Sequence, residues 1–393
     1  MEIDWVNPTG QDEYQRRKVK SLAANPEILE QVLLGQPLIG VDPRKEVKIA
    51  LPPPQVPTLL YGPDAVLRIR VGQDPPSQQE TASVSVSGPA EELLDYDGNS
   101  IVSPRSFLLP QTEALFKIIS AKGSKFKAIE DKTRRVFYGV RPCDIKAITL
   151  MNDFFADKFV DAFYRQKIER STFIAIACAR RCSKKSFCYE MDAGPIANNG
   201  FDLQLTPVSR GYLADIGSKK GRQIVKKNNK LFNRSSSLDE KEAEDILKGF
   251  RKAAKRIHYK KLAKIMARNK VKGSMWDDIG LRCVVCSGCI TLCPTCSCFS
   301  IIDRLNGDIG VRLRYCDGCP YAGFTRMAGD NTPVPLHKDN IRRFFEHKLN
   351  IDVKRYGTPS CVGCARCIET CPGNIDIRKF IKAVAEGKTV GQV

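Results

Sequence analysis

The sequence predicts an α/β (α+β) N-terminal domain followed by a small cysteine-rich domain carrying an insertion. Three observations carry this prediction. Two strand-like apolar runs, Arg135–Val140 and Thr172–Ala177, each stop just short of a cysteine, with a helical stretch between them. One short cysteine run occurs twice, from Cys283 to Pro294 and from Cys361 to Pro372. Between Cys293 and Cys361 lie 67 residues, too many for an uninterrupted small domain of this kind. The expected division is 1–236 for the α/β domain, 237–272 for a basic helical linker and 273–393 for the cysteine-rich domain, its insertion at about 300–358.

Along the chain, residues 1 to about 50 read as an amphipathic helical start, centred on Pro26–Leu34 and followed by Gly35. From Pro52 to about Pro110 the Pro and Gly content points to loops and short strands. Within it, Ser83–Ser87 alternates Ser and Val with period two, as an exposed strand does. Arg135–Val140 then reads as a buried strand, Ile145–Phe155 as a helix and Thr172–Ala177 as a second buried strand. Their ends place Cys143 and Cys178 where α/β sheets commonly hold ligands. Ser237 and Glu240 have capping-box spacing, and one long helix is expected to run from there through Ala253 and Ile257 to Met266. Asn340–His347 has helical spacing as well.

Composition narrows the function. Hydrophobic residues make up 42 %, enough for packed cores in a chain of 393 residues. The start at Met1 is polar and lacks the apolar core of an export signal, and no stretch reaches the ~18 apolar residues of a membrane span. A cytoplasmic location is the expectation. There, sixteen cysteines at short regular spacings are metal ligands or redox groups rather than disulfides. Twelve of the sixteen fall between Cys283 and Cys371, which scattered core cysteines would not do. Only three His are present, none inside a cysteine spacing, so mixed Cys/His zinc sites are hard to build.

The net charge is +19, which favours an acidic protein surface, nucleic acid or an anionic membrane face. Ten Lys or Arg and no acid lie between Arg251 and Lys272. A solvated helix face explains that run best, and docking on an acidic protein surface is the rival. Nucleic acid is disfavoured because Tyr259 alone among Phe, Tyr and Trp falls inside it.

The chemistry sits in the repeated run. Cys283, Cys286, Cys289 and Cys293-Pro294, and again Cys361, Cys364, Cys367 and Cys371-Pro372, follow the C-x2-C-x2-C-x3-C-P spacing of bacterial two-cluster ferredoxins. Three thiolates at this spacing wrap one four-iron cube, while the fourth points away toward the other. Proline after it suits a first helical turn, where no N–H is needed. One 4Fe–4S cluster therefore takes Cys283, Cys286, Cys289 and Cys371, and the other takes Cys361, Cys364, Cys367 and Cys293. Zinc ribbons need two C-x2-C pairs, not triplets with a fourth Cys-Pro. The basic neighbours Arg282 and Arg366 would raise the reduction potentials somewhat.

Eight cysteines remain. Cys143, Cys178, Cys182 and Cys188 form a second constellation, for which a third 4Fe–4S cluster is favoured over zinc or unliganded core thiols. Cys296, Cys298, Cys316 and Cys319 have three readings: a replacement ligand, another metal, or packing as small apolar side chains. Packing is favoured. No Gly-rich dinucleotide turn, Walker A run, Ser/His/Asp set, paired carboxylates or nickel–iron cysteine pairs stand out.

At these residues the chain resembles the iron–sulfur beta subunit of cytoplasmic nickel–iron sulfhydrogenases and the related A subunit of anaerobic sulfite reductase. The likeness rests on Ser106–Pro110, Tyr138–Asp144, Gly200–Leu203, Met275–Asp277, Cys293-Pro-Thr-Cys296-x-Cys298, Ala328-Gly329 and Cys361–Cys371, in that order. It departs where Ser186-Phe187-Cys188 stands for the family's Cys-Phe-Cys, at the extra Cys182, and at Cys316-Asp317-Gly318-Cys319. The resemblance implies a non-catalytic electron-transfer subunit. Such a subunit relays electrons between a flavin- or nucleotide-linked partner and a hydrogenase- or sulfite-reductase-like catalytic partner. The alternative is a subunit whose N-terminal cysteines themselves reduce sulfur or a disulfide.

Overall fold

The computed structural model describes residues 67–70, 83–86, 99–119, 125–209, 211–229, 232–253, 257–306 and 309–387. The helical start expected around Pro26–Leu34 lies outside the described residues. Strands β1 (Leu67–Arg70) and β2 (Ser83–Val86) pair antiparallel, so the alternating Ser–Val run is a strand.

A short helix α1 (Arg105–Leu108) precedes β3 (Thr112–Ile119) and β4 (Lys125–Ala128). The α/β layer then begins with β5 (Arg135–Val140), α2 (Pro142–Ala156), α3 (Ala162–Glu169) and β6 (Ser171–Ile176). It closes with β7 (Leu203–Val208), β8 (Gly211–Ile216) and α4 (Lys219–Lys227). The sheet order is β5-β6-β7-β8, parallel as far as β7 and antiparallel at β8. Both faces are covered, so the strands read as apolar runs rather than as alternation. On β6, Phe173 and Ala175 face one core, with Ile145, Ile148 and Phe155 of α2. Ile174 and Ile176 face the other core, with Leu205 and Phe232.

Gly139 interrupts the alternation of β5. Its φ of 73° sits at a register shift between Tyr138 and Val140, so Val140 joins the Phe137 face instead of the Val136 face. That bulge aims the strand end at Arg141, the extended N-cap of α2. Pro142 takes the first helical position, where its missing N–H costs nothing. Cys143 is thereby set in the first turn of a helix.

The single long helix expected from Ser237 to Met266 is two helices, α5 (Ser237–Ala253) and α6 (Tyr259–Ala267). Ahead of α6, the Ile257 N–H is donated to the Glu190 carbonyl at 2.9 Å, and His258 takes a non-helical ψ of 68°. The capping box also lies one residue earlier than its spacing suggested. Ser236 Oγ accepts the Asp239 N–H at 3.2 Å, and the Asp239 carboxylate accepts the Ser236 N–H at 2.8 Å. On α6, Leu262, Ala263 and Met266 are buried while Lys260, Lys261 and Lys264 face solvent.

The C-terminal region contains α7 (Gly273–Arg282), α8 (Gly288–Thr291), β9 (Phe299–Asn306), β10 (Ile309–Cys316) and α9 (His337–Glu346). It ends in α10 (Asp352–Tyr356), α11 (Arg366–Glu369) and α12 (Ile377–Glu386). Trp276, Phe345 and Phe380 pack edge and face with centroids 4.5–5.8 Å apart at the centre of its core. The β9–β10 hairpin, from between the two cysteine runs, completes a second sheet with the order β4-β3-β10-β9. A buried charge cluster locks it there. Arg314 on β10 is 1 % exposed, bonds Glu113 of β3 at 2.6 Å and also reaches Asp161, the N-cap of α3. Lys167 closes the set on Glu113.

Because Gly139 needs a left-handed backbone while a Cβ there would meet only Ile176 at 3.8 Å, Gly139→Ala isolates backbone strain from steric clash. It is expected to lower stability by about 1–2 kcal/mol, read as a drop in the urea midpoint by circular dichroism.

Candidate metal centres

The two cysteine runs fold alike. In the first, Val285 (φ 53°) and Ser287 (φ 64°) are left-handed before α8; in the second, Gly363 and Ala365 (both φ 67°) hold the equivalent places before α11. Left-handed residues at alternate positions curl the chain, so the first three thiols of each run turn inward. A β-branched residue such as Val285 seldom takes this conformation, which marks the loop as held by its surroundings.

The runs interlock. A Cβ on Gly288 would meet Thr370 at 2.7 Å, and one on Gly373 would meet the Arg282 carbonyl at 2.2 Å. Arg282 donates to the carbonyls of Gly373 and Asn374 at 3.1 and 3.2 Å. Cys371 accordingly neighbours Cys283, and a cavity is lined by Cys283, Cys286, Cys289 and Cys371, with Cys367 of the other triplet also on its wall. Cys293 neighbours Cys361, Cys364 and Cys367. The fourth cysteine of each run thus lies with the triplet of the other.

The N-terminal constellation also assembles. Cys143 stands beside Cys188 and Cys178, and Cys178 shares a hydrogen bond with Cys182. Cys182 neighbours Cys188 in turn. Ser186, beside Cys188, is spent in a turn, donating to the Ser183 carbonyl at 2.8 Å. Asn99 donates to Cys143 Sγ at 3.9 Å. This set abuts the second ferredoxin set, because Cys143 also neighbours Cys364.

Among the described residues, no three Cys, His, Asp or Glu side chains converge closely enough to hold one ion. A tetrahedral zinc–thiolate site would need sulfurs about 3.8 Å apart. Thiols grouped in fours are also the ligand set of a multi-iron cluster.

Burial pushes most of these thiols up; Cys188 and Cys361 each reach about 12. Metal coordination overrides such values by deprotonating the ligand outright. Cys182 moves the other way, to about 7, through its hydrogen bond with Cys178 and the Arg141 charge. Cys293 is held well below the usual thiol range by a hydrogen bond with Cys296 and by Lys348. Burial alone would lower Lys348, but Cys293, Cys296 and Cys361 outweigh it and lift it well above its ordinary value.

Residues 282–375 match the family described as 4Fe-4S dicluster domain. The C-terminal region is a 4Fe–4S dicluster domain. The chain is also similar to sulfhydrogenase 2 subunit beta of Pyrococcus furiosus, 26 % identical over 303 residues, which is 76 % of this chain and 86 % of that subunit. The resemblance drawn from ordered motifs is borne out, and iron–sulfur clusters are the cofactors of the dicluster domain. No helix among the described residues is long and apolar enough to cross a membrane.

Sequence reasoning missed the charges that join these sets. Arg366 does not sit beside Cys364 as a free charge; it bonds Asp144 of α2 at 2.6 and 2.8 Å, both side chains buried, and takes Asn99 and the Ser100 carbonyl as well. Lys348, by contrast, donates to Thr295 Oγ1 at 3.0 Å and faces thiols. Neither pairing has a local sequence signal, since Asp144 and Arg366 lie far apart along the chain.

Removing one partner of a buried pair strands the other charge. Asp144→Ala is expected to cost about 3–5 kcal/mol in urea unfolding. Asp144→Leu with Arg366→Met should recover most of that loss. An unaltered midpoint for the single variant would show that the pair does not hold the two regions together.

Proposed function

We propose that this chain is the iron–sulfur electron-transfer subunit of a multi-subunit oxidoreductase of hydrogenase type. In this reading it relays electrons between a flavin- or nucleotide-linked partner and a catalytic partner. The carrying observation is contiguity: the N-terminal thiol set neighbours the second ferredoxin set at Cys143 and Cys364, and that set neighbours the first at Cys367 and Cys289. The name of the Pyrococcus relative, a sulfhydrogenase beta subunit, supports the same reading.

One 4Fe–4S cluster is assigned to Cys283, Cys286, Cys289 and Cys371, and a second to Cys361, Cys364, Cys367 and Cys293. Cys143, Cys178, Cys182 and Cys188 are assigned a third. When bound, each cluster supplies a one-electron carrier whose potential depends on charge, hydrogen bonds and solvent cover. The chain's own work is to hold these carriers in a row and to set their surroundings. Lys348 lowers the cost of negative charge at the Cys293 end of the second cluster. The Asp144–Arg366 pair keeps the N-terminal set pressed against it. The exposed lysines of α6 offer a face for an acidic partner surface.

A second reading gives the N-terminal cysteines a sulfur- or disulfide-reducing role. It draws on the hydrogen-bonded Cys178–Cys182 pair, with Cys182 near 7. Viologen-driven reduction of polysulfide by the isolated chain would favour it.

Protein isolated without air is expected to hold at least about twelve irons and as many acid-labile sulfides. Dithionite reduction should give the EPR of interacting clusters. Cys143→Ser with Cys188→Ser should remove about four irons and leave the dicluster signals in place. A colourless chain without sulfide, or one carrying zinc, would overturn the assignment.

A further inference from the structure

Cys296, Cys298, Cys316 and Cys319 stand outside the three sets, and the sequence favours simple packing for them. The fold places them otherwise. All four residues are half-buried rather than sealed in a core. Across the β9–β10 ladder Cys316 lies opposite Phe299, the residue that follows Cys298. The Asp317 N–H reaches the Cys298 carbonyl at 3.5 Å. The turn after β10 brings Cys319 back beside Cys298 and Cys289. Arg105 of α1 ties Cys296 to the group: its Nε donates to the Cys296 carbonyl, and its Nη2 donates to Cys316 Sγ at 3.0 Å. A cavity of about 100 Å³ opens among Cys296, Cys298, Cys319 and Lys348.

The charges around this group are the second observation. Arg105 and Lys348 are only 4 % and 5 % exposed. Among the described residues neither has a carboxylate partner; their hydrogen bonds go to carbonyls, a hydroxyl and a thiol. Both lie beside Cys296 and Cys298. A buried cation without a counter-charge is costly, and neutral, packed thiols would supply none. Lys348 has the thiols of the second ferredoxin set as further neighbours, but Arg105 bonds Cys296 and Cys316 and none of the twelve assigned cysteines. An anionic group formed at this quartet would supply its counter-charge.

We propose that Cys296, Cys298, Cys316 and Cys319 hold a further iron–sulfur cluster, with Arg105 and Lys348 as its buried counter-ions. Four thiolates serve both 2Fe–2S and 4Fe–4S clusters. The site adjoins the first ferredoxin set through Cys289 and Cys319, and the second through Lys348. It is therefore a branch of the relay rather than an extension of its end. The proposal rests on the chain being an iron–sulfur protein, but not on the N-terminal set.

The test is iron, sulfide and zinc content of the full chain isolated anaerobically, wild type against Cys298→Ser with Cys319→Ser, with EPR of the reduced proteins. The double variant is expected to lose about two or about four irons with an equal number of sulfides. Cys143→Ser with Cys188→Ser should lose its own increment separately. A folded quartet variant that keeps the wild-type iron, or that loses zinc instead, overturns the proposal. Should that variant fail to fold, the wild-type count decides. Iron beyond the sum lost from the other three sets supports the fourth site, and none beyond that sum overturns it. A chain lacking iron altogether overturns the electron-transfer reading itself, whereas a missing quartet increment leaves that reading standing.

Discussion

The buried contact between Asp144 and Arg366 is the constraint on which the arrangement of thiols depends. It joins the first turn of α2 to the first turn of α11, and each turn lies next to cysteines of a different set. A carboxylate near a helix N-terminus is favoured by the helix dipole. The guanidinium that answers it comes from the second ferredoxin run. Close backbone approach does the rest: the Phe187 N–H bonds the Gly363 carbonyl at 2.8 Å, where a Cβ on Gly363 would strike Phe187 at 2.5 Å. An ion pair and a close backbone approach are thus among the contacts that hold the N-terminal thiols and the dicluster domain as neighbours.

Electrostatics along the row follow a single rule. Thiols drawn into the interior resist ionising, and the fold offsets that by burying cations among them. Arg366 is balanced by Asp144, so it positions more than it charges. Lys348 and Arg105 are not balanced by carboxylates among the described residues, and both lie against sulfur. Buried charge is commonly a liability for stability. Here it is placed among thiols.

The second constraint is the Arg314 cluster. By bonding Glu113 and Asp161 in the interior, Arg314 fixes β10 on β3 and so decides where the hairpin end points. Its guanidinium also lies over Phe299, at 5.1 Å from the ring centroid. Phe299 and Cys316 are cross-strand partners, so the same contact that anchors the sheet orients the cysteine-bearing end of the hairpin.

Much of this was legible in the chain itself. Apolar runs at Arg135–Val140 and Thr172–Ala177 announced β5 and β6 because both sheet faces are covered. The doubled cysteine spacing announced the dicluster domain because ligand spacing is a local property of a loop. One helix from 237 to 266 is suggested because the periodicity carries past Ile257, whose N–H goes instead to the distant Glu190 carbonyl. The capping residue slipped by one for a simpler reason: Ser236-x-x-Asp239 and Ser237-x-x-Glu240 share the same spacing. What only the tertiary structure decided was proximity between residues far apart in sequence: Asp144 with Arg366, Arg105 with Cys316, Cys143 with Cys364. Pairing energies of this kind come from desolvation and charge at a shared point in space, and no local pattern of residues encodes where that point lies.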